Sequence, residues 1–130
     1  MIKTTNFEIS KKLAEIGFRA ESEKCWAKIR HSVLSDFVLV NLDFQVPQHC
    51  DEWVLSYDLE TLLNALPSSI ENGTENCLVV NVAFGEIHYE GDCENDTLWQ
   101  FITTTRENES LADTAGRLII LLHEKNLIKF

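Results

Sequence analysis

The sequence predicts an α+β domain: a single curved, mainly antiparallel sheet, with a long C-terminal helix packed on one face and two short helices beside it. The first observation behind this is the clearest helical period in the chain. In residues 110–126, Leu111, Ala115, Leu118 and Leu122 recur at i, i+4, i+7 and i+11, with Ala112 and Ile119 alongside. A stripe that wide needs a surface to cover. The second is the middle of the chain, a series of short strand-like runs that could supply that surface. Their order lacks the regular strand–helix alternation of a doubly wound parallel sheet.

The chain of 130 residues reads as one domain, 1–130, long enough to bury roughly two thirds of the surface its unfolded form exposes. Residues 2–9 alternate weakly and read as an edge strand or an arm. Ser10 is positioned to cap a short helix over 11–16, in which Leu13 and Ile16 share a face and Gly17 stops the run. Residues 25–31 alternate, with Trp26, Lys28 and Arg30 opposed to Ala27 and Ile29. Ser35-Asp36 is a turn pair, and 37–44 is rich in β-branched and aromatic residues, so 25–44 predicts a hairpin. Pro47, which has no N–H to give a ladder, is expected to end the second strand. A short strand follows over 53–56.

Asp58 is an expected N-cap for the second short helix, with Leu59, Leu62, Leu63 and Leu66 at i, i+3, i+4 and i+7 and Pro67 just beyond it. Asn72-Gly73 is a turn pair. Residues 78–84 are the most strand-like run, Gly85 marks a bulge or a turn into 86–90, and 98–104 is the last strand. Asn108 or Ser110 then starts the final helix.

Charge is distributed unevenly. Residues 1–30 carry a net +3, residues 106–130 balance, and residues 31–105 hold thirteen acidic residues with no lysine or arginine. The overall net charge is −10. Such a layout argues against direct nucleic-acid binding, which needs clustered cations on the phosphate backbone, and suits a basic partner or an acidic surface. The apolar runs are too short to span a membrane. With no export signal in the opening residues, a cytoplasmic location is expected, and Cys25, Cys50, Cys77 and Cys93 read as reduced thiols.

Two clusters hold metal-ligating residue types. His49-Cys50-Asp51-Glu52 follows Pro47, and His88, Glu90, Asp92, Cys93, Glu94 and Asp96 surround a hairpin end. His49, Asp51, His88, Glu90 and Asp92 are therefore the candidate cation ligands. The chain has no Cys-x-x-Cys or His-x-x-x-His pair, and the acidic run lacks the spacing of a calcium loop. The preferred reading is a solvated loop and an exposed acidic hairpin end, with no metal and no cofactor. The G-x-S-x-G elbow and both glycine-rich phosphate loops are missing, so no enzyme is expected. Trp26, Trp53 and Trp99 fall in predicted strands and read as packing residues.

The final helix carries a polar face of Asp113, Arg117 and Glu124, with Asp113 and Arg117 at the i, i+4 spacing of an ion pair. Ile120 interrupts that face and Leu121 flanks it. Ile120, Leu121 and Arg117 are accordingly the candidate interface residues, and a homodimer is the form such an interface suggests.

SYDLETLLNALP at 56–67 and LADTAGRLIILLHEKNLI at 111–128 resemble segments of small proteins from bacteriophages and prophage regions. There, a Y-T-x-x-E-L-L-x-x-L-P helix precedes a hairpin and an A-x-A-x-x-L-x-x-W-L-x-E-N helix ends the chain. Asp58 stands here at the threonine and Ile120 at the tryptophan. The resemblance implies neither an activity nor site residues.

The function expected is that of a small non-enzymatic protein acting through protein–protein contacts, with a protein partner or itself. One alternative is an acidic inhibitor or decoy that binds a basic, nucleic-acid-binding protein. A second is a metal- or small-ligand-binding module.

Overall fold

The computed structural model describes residues 3–30, 36–43, 45–71, 75–91 and 103–130. In chain order these form α1 (Phe7–Glu15), β1 (Lys24–Ile29), β2 (Val38–Asn41), α2 (Val46–His49), β3 (Cys50–Ser56), α3 (Leu59–Ala65), β4 (Ser69–Glu71), β5 (Glu75–Asn81), β6 (Glu86–Gly91), β7 (Thr103–Thr104) and α4 (Leu111–Glu124). The α+β class is as predicted, and every strand pairing is antiparallel.

The single sheet is not observed. The strands divide into a three-stranded sheet, β2-β1-β3, and a four-stranded sheet, β4-β5-β6-β7. The reason lies in α4, which is apolar around far more of its circumference than one stripe. Residues 112–116, Leu118, Ile119 and Leu122 are all buried, and a helix enclosed on most sides needs cover on most sides. It packs on β6 and β7, on α1 and on α3, while α1 in turn packs on β3. Helices α1 and α4 therefore stand between the two sheets.

Helix α1 starts earlier than expected: of the residues read as an edge strand or an arm, Thr4 makes an isolated antiparallel bridge with Asp58, while Phe7 onward is helical. Asn6, not Ser10, is its N-cap, the Oδ1 accepting from the Ile9 N–H at 2.9 Å. An edge-to-face contact of Phe7 with Trp26 (6.3 Å) and its stacking on Phe37 (4.4 Å) draw that first turn onto the sheet. Gly17, at φ +88°, ends the helix as predicted.

Just before it, the Thr5 carbonyl accepts from Trp26 Nε1 at 2.9 Å and from Ser56 Oγ at 2.7 Å. The Thr5 N–H donates to the Tyr57 carbonyl at 2.9 Å. Thr5, Ser10 and Ser56 are wholly buried, and this mutual bonding is what makes burying their hydroxyls affordable.

The predicted hairpin over 25–44 forms as β1 and β2, with Cys25 opposite Val40 and Trp26 opposite Leu39. Residues 31–35 and 44 lie outside the described residues. Pro47 does not end a strand; it sits in the first turn of α2, where no N–H is required. Strand β3 consequently begins at Cys50, three residues before the expected start. Helix α3 has the predicted cap, Asp58 Oδ1 accepting from the Thr61 N–H at 2.8 Å.

Strand β5 stops at Asn81, so Val82 and Phe84, expected inside a strand, belong to the turn before β6. Of the strand expected over 98–104, Thr103 and Thr104 pair with β6; residues 98–102 and the Asn72-Gly73 pair are outside the described residues.

The main core joins Leu13, Leu62, Ile87, Leu118, Ile119 and Leu122, each fully buried and each worth roughly 1.5–3 kcal/mol of transfer free energy. A second, smaller core of Cys25, Ala27, Val46 and Cys50 lies on the three-stranded sheet. Among the described residues no helix is long and apolar enough to cross a membrane.

Candidate functional site

The site is built from the start of α4 outward. Ser110 and Asp113 form a capping box: the Asp113 N–H points at Ser110 Oγ, and Asp113 Oδ2 accepts from the Ser110 N–H at 2.9 Å. The other carboxylate oxygen, Oδ1, accepts from the Asn6 N–H at 2.6 Å. Asp113 is thus 3% exposed and spent on two backbone donors at adjoining helix starts, where the helix dipoles favour a negative charge.

The i, i+4 ion pair expected between Asp113 and Arg117 does not form, and Asp113 is not on a polar face. Arg117 turns instead to Glu109, with Nε 3.2 Å from Oε2 and Nη2 3.1 Å from Oε1, and Nη2 also donates to the Thr104 carbonyl. With side chains only 17% and 12% exposed, this two-pronged pair is better shielded than a surface ion pair.

Beside the pair lies a depression of about 400 Å³ between α1 and α4. Its floor includes Ile9, Ile120 and Leu121; its rim carries Glu8, Glu109 and Glu124 against Lys12, Arg106 and Arg117. The structure therefore brings the three sequence-predicted interface residues, Arg117, Ile120 and Leu121, to one place. Ile120 and Leu121 are half-buried, packed on the core on one side and lining the depression on the other. Sequence reading missed Lys12, Arg106 and Glu109, which reach the site only through the approach of α1 and the 105–110 loop. Position 12 could have been found, being i+3 from Ile9 on an amphipathic helix.

A larger depression, about 760 Å³, opens among Thr4, Ser22, Lys24, Leu55, Asp58 and Thr61. Two of its polar side chains serve the fold, whereas Thr4 Oγ1 is buried with no hydrogen-bond partner among the described residues. Asp58 caps α3, and Ser22 Oγ lies between the Lys24 and Ser56 carbonyls.

The candidate cation ligands are scattered. His49 closes α2 on the surface. Asp51 is in β3, bound to Arg30 Nε at 2.8 Å. His88 and Glu90 share the outer face of β6 with Glu86, a residue the sequence reading left out although its i−2 spacing places it there. His88 Nδ1 lies 2.7 Å from Glu86 Oε1 without the alignment of a hydrogen bond, and Nε2 lies 3.9 Å from Glu90 Oε2. Asp92 is outside the described residues. Among the described residues no three His, Cys, Asp or Glu side chains are grouped so as to hold a metal ion.

Cys25 and Cys50 are buried and Cys77 is exposed. Burial, helped by Cys50 and Asp43, pushes the Cys25 thiol up to about 11, so at neutral pH it is a packed thiol and not a nucleophilic thiolate. Burial likewise raises Tyr89, whose hydroxyl donates to the Pro67 carbonyl at 2.7 Å.

Among the described residues, carboxylates of the lysine- and arginine-free stretch stand on both sheets, Asp51 and Glu52 on β3 and Glu86 and Glu90 on β6, and several serve the fold: Asp43 accepts from the Gln45 N–H, Asp51 pairs with Arg30, and Asp58 caps α3. At the far end of the β5–β6 hairpin, Val82 and Phe84 stand 73% and 77% exposed; Trp53 on β3 is 40% exposed, and Trp99 lies outside the described residues. No family model, no curated protein and no solved structure matches the chain.

Proposed function

We propose that this protein is a non-catalytic module that works through protein–protein contact, that the α1–α4 depression is its contact surface, and that a second copy of the chain is its partner. The observation carrying this is the placement of Ile120 and Leu121. On a helix most of whose apolar side chains are buried in the fold, these two open onto a recess ringed by three acidic and three basic groups. A two-fold interface must be complementary to itself, and a rim bearing both signs can pair with its own rotated image, giving register as well as attraction. A surface for one-signed foreign charge would not have this balance.

The test is the molar mass of the purified protein by light scattering across a concentration series. A dimer is expected for the native chain, and a folded monomer for Ile120→Asp and for the charge reversal Lys12→Glu, which leaves the core untouched. A native chain that stays monomeric at its highest soluble concentration removes the proposal.

A further inference from the structure

We draw no further inference here: the strongest candidate, the depression of about 760 Å³ between the start of β1 and the start of α3, carries nothing, because its orphaned polar atom, Thr4 Oγ1, is itself enclosed by protein and nothing in the structure shows what fills it.

Discussion

Asp113 shows how much one side chain can be asked to do. Its carboxylate closes the capping box of α4 with one oxygen and holds the first N–H of the α1 start with the other. Removing it leaves two partly buried donors without their partner, the capping-box N–H among them, and at this partial burial each such loss costs about 1–2 kcal/mol. Asp113→Ala is therefore expected to destabilise by roughly 2–4 kcal/mol, read as a lowered urea midpoint, with Asp113→Asn milder. An unchanged midpoint would mean that α1 and α4 are not linked through this group. The sequence shows Asp113 at the third position of a capped helix, which is why its role in the box was within reach. Its bond to Asn6 was not, because that partner lies 107 residues earlier and only the packed fold brings them together.

Helix boundaries followed the same division. Gly17, Asp58 and Pro67 act within a few residues of themselves, and each marks the helix end or start it was expected to mark; of the two starts read for the last helix, Ser110 is the one used. Asn6 and Ser10 are equally good caps by residue type, and the choice between them is made by Phe7 packing on Trp26 and Phe37, which no local rule contains. Where α1 crosses α4 the fit is tight. A Cβ added at Gly116 would come within 2.5 Å of Ile9 Cγ2, closer than atoms tolerate. Gly116→Ala should accordingly destabilise by about 1–3 kcal/mol, even though alanine is the better helix former by about 1 kcal/mol. A stability gain would show instead that α1 yields its position freely. Pairing Gly116→Ala with Ile9→Val or Ile9→Ala should recover part of the loss, which checks that the clash is with that side chain.

The whole molecule differs from its sequence-based picture chiefly in having two sheets where one was expected. Period-two patterns identify strands but not their partners, and β3 carries no mark to say that the chain will cross a helical layer before β4. The apolar excess on α4 is visible in the sequence at Ile120 and Leu121, which break its polar face; that Asp113 and Thr114 are buried together with the apolar stripe is not. The burial that results makes the fold sensitive to alkali. Cys25 is raised from an ordinary 9.0 to about 11, and Tyr57 and Tyr89 are raised from 10.0, in each case mainly by burial. Their folded-state values lie above their unfolded ones, so the neutral forms contribute stability that is fully present below pH 9 and is lost as pH rises past it. Urea midpoints should be level from pH 7 to 9 and fall between pH 9 and 11, and Cys25→Ala should flatten the first part of that fall. A profile level to pH 11 would contradict the burial of these groups.

The position of α4 in chain order has a consequence for synthesis. Every strand and every other helix leaves the ribosome before it, yet α1, α3, β6 and β7 all find their cover on it. Until residues 111–124 emerge, Leu13, Leu62, Ile87 and Tyr89 have no completed core to enter. Until then the four-stranded sheet stands with the face that α4 covers open, a state in which chains are prone to associate wrongly. Final closure is a single late event that brings together segments more than a hundred residues apart, the arrangement that slows folding most.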